Sequence, residues 1–244
     1  MSRIYVDTVL PETSGIGEAL NIGASGDTVT LPAGVKLKTN KLTDAGGNNL
    51  ITSDGSGNLT LNNGFQGSFK LITTNTFTNQ AQADFTTGID TTYNFYALYL
   101  SNIVAATDNA NFNMQFKSGG SWTAAYKTST AYYSYHEEDD GGNGLSYSNS
   151  HDQANDAGEQ VIFEGVDDRG HQGLGGEIYL WNPAGTTYSG KVYTTEMIGT
   201  RSPDWVVRFA TQGMTTITAA ITGIRFKMNS GNFSGTIKLY GIGG

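Results

Sequence analysis

The sequence predicts an all-β protein in which an N-terminal docking strand and a short repetitive β stem precede a jelly-roll-like antiparallel β-sandwich. Three observations favour this class. The 244 residues contain 33 glycines and 13 tyrosines but only 15% charged residues, a composition typical of strands joined by tight turns. No window of about 12 residues has the apolar spacing of an amphipathic helix without Gly, Thr or Asn. A short sequence pattern also repeats between residues 40 and 66.

Residues 1–26 are predicted to dock the chain on a partner. The run from Arg3 to Val9 alternates as a short strand does, and Pro11 and a Gly/Ser-rich stretch follow it. An exposed strand edge readily pairs with another chain, so this segment is expected to contact other proteins of a larger assembly. The candidate docking residues are Ile4, Tyr5, Val6 and Val9.

Residues 27–66 are predicted to form a β-rich stem with nine-residue units. Asn40, Asn49 and Asn58 open three such units, NKLTDAGGN, NLITSDGSG and NLTLNNGFQ. Each unit has room for one short strand and one tight turn, and its few apolar residues could bury little within a single chain. We therefore expect identical chains to cover the apolar line, with a homotrimer as the preferred oligomer. A polar, loosely ordered linker is the alternative.

Residues 67–244 are predicted to form the sandwich, a C-terminal knob. Several runs alternate apolar and polar residues, so that in 224–228 and 237–239 the side chains of Arg225, Lys227 and Lys238 would face water. About eight to ten such strands at hairpin spacing, without helices between them, indicate two packed antiparallel sheets. We expect this domain to fold without the stem and without metal.

The charge balance and the lack of cysteine argue against several classes of protein. A net charge of -8 disfavours a nucleic-acid groove, which needs clustered Lys and Arg to neutralise phosphates. The sequence has no apolar run of about 18 residues, so no membrane insertion is expected, and its start lacks the apolar core of a signal peptide. Without any cysteine, oligomerisation is the expected source of extra stability.

Three stretches carry a family resemblance: YNFYALYLSNIVAATDNANFNMQF (93–116), GGEIYLWNPAG (175–185) and ITGIRFKMNSGNFSGTIKLYGIGG (221–244). They resemble a domain at the distal end of tailed-bacteriophage virion proteins, and the opening SRIYVDTVLPETSG is similar to openings of such fibre-like proteins. The resemblance implies a trimeric fibre or spike on the virion surface, made in the host cytoplasm, and brings no catalytic residues with it. The function expected is host-surface adhesion by the C-terminal knob, as in a tail fibre. A capsid-decoration or head-fibre protein without a specific receptor is the alternative.

Enzymatic chemistry finds little support in the sequence, and a carbohydrate-acting enzyme is only a third option. The Gly-x-Ser-x-Gly spacing of a serine hydrolase is absent, and His136, His151 and His171 are predicted to lie in polar loops. Neighbouring acids point in different directions on an extended chain, so no cofactor is expected, with calcium as the alternative. The weak candidate metal ligands are Glu138, Asp140, Asp167 and Asp168.

A receptor contact is predicted between Tyr126 and Gln160, where the sequence indicates one long connection poor in apolar residues. Aromatic rings beside small polar residues are typical of recognition loops, and connections of this length are usually functional or disordered. The acids at 137–140 favour a neutral or cationic partner, a host cell-surface glycan or protein. Alternatively, the tyrosines seal the contact between neighbouring subunits. The candidate receptor-binding residues are Tyr132, Tyr133, Tyr135 and Tyr147.

Overall fold

The computed structural model describes residues 39, 41–44, 46–61, 69–168, 173–201 and 204–243. Within these ranges the chain forms sixteen strands and no α-helix, which confirms the all-β prediction. No helix there is long and apolar enough to cross a membrane. The predicted docking segment lies outside the described residues, together with its candidates Ile4, Tyr5, Val6 and Val9.

The chain divides into two compact units between residues 65 and 66. In the first unit β1 (Lys41–Thr43), β2 (Asn49–Ser53) and β3 (Leu59–Leu61) form a three-stranded antiparallel sheet. Ile51 is the cross-strand partner of both Leu42 and Leu61. The apolar positions of the repeated units therefore align across the sheet.

Two turns of the first unit have the same construction. The Asp44 carboxylate accepts hydrogen bonds from the backbone N–H groups of Gly46 (2.9 Å) and Asn48 (2.8 Å), and Asp54 accepts them from Ser56 (2.7 Å) and Asn58 (3.2 Å). In both turns the Asn side chain also donates to the Asp carboxylate, and this bond is the main cause of the lowered Asp pKa. Asp44 and Asp54 occupy equivalent places in these turns and are ten residues apart, so the structural repeat does not keep a constant spacing of nine residues.

The second unit contains thirteen antiparallel strands. They are β4 (Phe69–Gln80), β5 (Ala83–Phe85), β6 (Phe95–Ala105), β7 (Ala110–Ser118), β8 (Lys127–Glu137), β9 (Asn143–Tyr147), β10 (Gln153–Asp156), β11 (Gln160–Val166), β12 (Leu174–Trp181), β13 (Val192–Arg201), β14 (Trp205–Thr215), β15 (Ile221–Met228) and β16 (Phe233–Ile242).

These strands form two layers of a sandwich-like sheet. The large layer has the order β4-β16-β6-β12-β13-β14-β8-β9, with β10 on the other half of β8, and the small layer has the order β11-β7-β15-β5. The layers are continuous through one pairing, Val166 with Arg201. Between them, Phe112 of β7 packs on Phe233 of β16 with ring centroids 5.6 Å apart, and Phe116 of β7 packs on Tyr193 of β13 at 5.2 Å. The core therefore lies between the layers.

Gly176 shows how closely neighbouring strands of the large layer approach. A Cβ atom added there would overlap the carbonyl oxygen of Glu196 and lie 2.6 Å from the Met197 sulfur. No side chain fits between β12 and β13 at this point. Only glycine fits at position 176, because a larger residue would overlap β13.

The predicted long connection between Tyr126 and Gln160 is wrong. This segment contains β8, β9 and β10, and all eleven residues of β8 pair with β14. The alternation was hidden because Lys127 and Ser129 are polar yet buried. Lys127 donates to the Gly158 carbonyl and Ser129 donates to the Gln160 side chain at 2.7 Å, so burial leaves them hydrogen-bonded.

Candidate binding cleft

An open cleft of about 400 Å³ lies at the end of the β8–β9 hairpin. It is lined by Glu137, Glu138, Asp139, Asp204 and Trp205. Four of these five residues are acidic and the fifth is an indole. The cleft therefore combines negative charge with one large aromatic surface.

Backbone hydrogen bonds build one wall of the cleft from the β8–β9 turn. The N–H of Glu137 donates to the Gly142 carbonyl (2.9 Å), and the N–H of Asp140 donates to the Glu137 carbonyl (3.2 Å). Asp140 has a φ of 62°, a left-handed conformation that Asp tolerates better than most residues. The N–H of Glu138 donates to the Asp204 carbonyl (3.1 Å), which joins this turn to the residue that precedes β14.

Aromatic stacking fixes the other wall. Tyr135 stacks on Trp205 with ring centroids 4.5 Å apart and an interplanar angle of 13°. Tyr133 is the next inward-facing residue of β8, and it stacks on Phe209 of β14 at 6.1 Å and 2°. Because Phe209 is buried in the core, the row of rings anchors Trp205. The indole is thus a rigid part of the cleft.

A cation lies against the same indole. The Arg201 guanidinium carbon is 5.5 Å from the centroid of a Trp205 ring, and Arg201 forms an ion pair with Glu164 at 3.1 Å. The carboxylates of the turn have no such basic neighbour among the described ion pairs, apart from the contact of His136 with Asp140 at 3.3 Å. A positively charged or hydroxyl-rich group would complement this surface.

The four candidate tyrosines do not form one surface. Tyr133 and Tyr135 face inward and pack against the core cluster, whereas Tyr132 is paired with Tyr147 on the opposite face of the large layer. Tyr147 is 48% exposed, and its hydroxyl donates to Asp152 at 2.8 Å. Of the four, Tyr135 is the one that stacks on a residue of the cleft.

The candidate metal ligands fall in two places. Glu138 lines the cleft and Asp140 lies in the adjoining turn. Asp167 and Asp168 come together with Asp108, and one carboxylate oxygen from each of the three lies within 4.8 Å of the others. The sequence did not indicate Asp108, because it lies between β6 and β7, far along the chain. Calcium takes six to eight oxygen ligands, so three carboxylates alone do not define a metal site.

The prediction of polar loops is wrong for His136, whereas His151 lies in the turn between β9 and β10, as predicted. His136 is part of β8, and His151 is half-buried, with Nδ1 2.7 Å from the Ser148 hydroxyl oxygen and its ring edge-on to Phe209. Burial lowers the pKa of His151, with Arg201 adding to this and Glu164 opposing it. Ser148 is only 6% exposed, which leaves this Ser–His contact little access to a substrate. His171 lies outside the described residues.

Comparisons of the chain with protein-family models, curated proteins and solved structures gave no match. Function is therefore inferred from the residues themselves.

Proposed function

We propose that the chain is a structural protein of a bacteriophage virion, of the tail-fibre or spike type. In this proposal the N-terminal segment attaches to the particle and the second unit binds the host-cell surface. The observation that carries the adhesive role is the cleft beside the β8–β9 hairpin, with the Trp205 ring held by Tyr135 at 4.5 Å. A rigid aromatic surface beside polar groups is a common basis for recognition.

The chemistry of the cleft limits what the partner can be. Its wall consists of the acids Glu137, Glu138, Asp139 and Asp204, so an anionic polymer would be repelled. A neutral glycan could contact the part of the indole that lines the cleft and donate hydroxyl hydrogens to the carboxylates. A basic group of a surface protein would be attracted by the carboxylate charges. We therefore propose a neutral or cationic cell-surface glycan or protein as receptor.

Weak binding at each cleft is sufficient if several copies act together. A homotrimer presents three clefts on one fibre, and linked sites can raise the apparent affinity by about 10²–10⁴ without any new contact. Adhesion by many weak contacts also agrees with the openness of the cleft.

The proposal is tested by adsorption of particles that carry substituted protein. Trp205→Ala and, separately, Glu138→Lys are expected to lower the adsorption rate while particles assemble normally. Glu138 is exposed, so its substitution leaves the packing intact if Trp205→Ala proves unstable. The matched control is Tyr188→Ala, because Tyr188 is 76% exposed and lies outside the cleft. Normal adsorption by both cleft variants would contradict the receptor role.

A further inference from the structure

The exposed hydrophobic side chains of the second unit are concentrated on one layer. Apart from Leu42 and Leu59 of the first unit, twelve large hydrophobic side chains of the described residues are exposed, and ten of them belong to strands of the large layer. The other two, Tyr126 and Tyr188, lie outside the strands. The ten are Phe69, Leu71, Phe95, Tyr99, Leu145, Tyr147, Val192, Ile198, Val206 and Met214.

Cross-strand pairing places these side chains on a single face. Val192 is opposite Met214, and Ile198 is opposite Arg208. Ile242 is opposite both Phe69 and Phe95. The residues that alternate with them along the strands, such as Tyr193, Met197 and Phe209, are buried in the core. Because neighbours along a strand point to opposite sides, the ten cover the outward side of the large layer, which we call the apolar face.

The outward side of the small layer has the opposite chemistry. Arg225 donates two hydrogen bonds to Asp84, both at 2.7 Å, and its guanidinium lies 4.1 Å from the Trp122 ring centroid. Lys227 pairs with Glu159 at 2.7 Å. Two ion pairs therefore lie on the outward side of the small layer, whereas the exposed hydrophobic side chains lie on the outward side of the large layer, beside the ion pair of Arg208 with Glu196.

The apolar face is large enough for a protein partner. A fully covered aromatic side chain buries about 150–250 Å², so exposures of 36% to 49% at Phe69, Phe95 and Tyr99 leave roughly 60–120 Å² each. Ten such side chains, six of them aliphatic and smaller, amount to about 600–800 Å². One partner of a standard interface contributes about 800 Å², so the exposed hydrophobic area of this layer is close to what one partner supplies.

Charge favours another copy of this chain as that partner. The chain has a net charge of -8, so two copies repel one another over most orientations. On the apolar face, the charged outward positions of the paired strands are Glu177 and Glu196 against Arg208 and Lys238, and Arg208 pairs with Glu196 at 2.7 Å. Tyr147 of the same face donates to the Asp152 carboxylate, so three acids face two bases and the face carries -1 of the chain's net charge of -8. Electrostatic repulsion between two copies is therefore weaker at the apolar face than over the surface as a whole.

We propose that the apolar face is an interface between copies of this chain. Aliphatic side chains on this face suit packing against protein rather than stacking on sugar rings. Tyr132 and Tyr147 lie on the same face, so this interface would give them the subunit-sealing role that the sequence left open. The inference does not depend on adhesion or on a virion location, because it concerns only how the chain associates with itself.

A single cysteine can report whether the face is covered, because the chain has no cysteine of its own. The reporter is Ile198→Cys in the full chain, since Ile198 is 51% exposed on the central strand β13. The control is Gln82→Cys, which is exposed and adjoins the ion-paired side of the small layer through its contact with Asp84 at 3.2 Å. The rate of maleimide labelling is measured for both over a range of protein concentrations.

Ile198→Cys is expected to label about tenfold more slowly than Gln82→Cys at a protein concentration high enough that only about one tenth of the chains remain uncovered. Dilution, or a second substitution Val206→Lys on the same face, is expected to remove the difference, whereas Gln82→Lys is not. Equal labelling at all concentrations would overturn the proposal. Slow labelling of Ile198→Cys that dilution does not change would also overturn the proposal. It would indicate that residues 1–38 of the same chain cover the apolar face.

Discussion

Replacement of Lys127 by Met is expected to change how the stability of the protein depends on pH. The Lys127 side chain is fully buried and donates to the Gly158 carbonyl at 2.5 Å. Burial lowers the pKa of its ammonium from 10.5 to about 8, although the charges of Asp156 and Glu159 oppose the shift. The folded state therefore binds this proton more weakly than the unfolded state.

The sign and size of the effect follow from that difference. Below pH 8 the amine is charged in both states, and the fold bears the cost of a buried charge. As pH rises from about 8 towards 10.5, the folded state loses its proton first, so the free energy of unfolding increases. With these pKa values the gain between about pH 7 and about pH 9.5 is about 2 kcal/mol.

Urea unfolding of the wild-type chain and of Lys127→Met at both pH values measures this gain. The difference in unfolding free energy between the two proteins is expected to move by about 2 kcal/mol in favour of the wild type at the higher pH. Ionisation of tyrosines affects both proteins and cancels in the comparison. The lost bond to Gly158 adds a cost that does not vary with pH. A difference that stays constant, or that moves the other way, would refute the assignment of Lys127 as a buried, weakened base.

Three further outcomes can be measured on the same protein. Arg225→Met is expected to destabilise the fold by about 1–3 kcal/mol in urea melts, because it leaves the part-buried Asp84 without its bidentate partner; a change below about 0.5 kcal/mol, as at an ordinary exposed ion pair, would contradict this. Gly176→Ala is expected to cost about 1–3 kcal/mol by overlap with the Glu196 carbonyl, and an unchanged melting temperature would show that β12 and β13 can separate without cost. A chelator is expected to leave the melting midpoint unchanged, whereas a fall would indicate a bound metal, for which the Asp108 cluster is one candidate site.

The all-β class was predictable because the strands that form the core alternate regularly. In β16 the apolar residues Ile237 and Leu239 flank Lys238, and the structure buries the first two and exposes the third. Glycine content and the lack of helical spacing pointed the same way. The presence of these strands could therefore be predicted from the local alternation of apolar and polar residues.

The candidate site could not be predicted from the sequence, because it depends on which strands pair in the fold. Tyr135 and Trp205 meet because β8 pairs with β14, and no local pattern specifies which strands become neighbours. β8 itself was missed because Lys127 and Ser129 occupy inward positions that hydrophobicity would assign to a loop. Asp108 was also missed because no local sequence pattern shows that the fold brings it close to Asp167 and Asp168.

Immunoelectron microscopy of purified particles, with an antibody against the second unit, tests the proposed virion role most directly. The particles come from cultures that express the chain. The account expects label on the outer end of a tail fibre or spike, where the cleft would meet the host surface. Label on the head would contradict the adhesive role and favour capsid decoration. Particles without label, alongside free protein in the same culture, would contradict a virion function altogether.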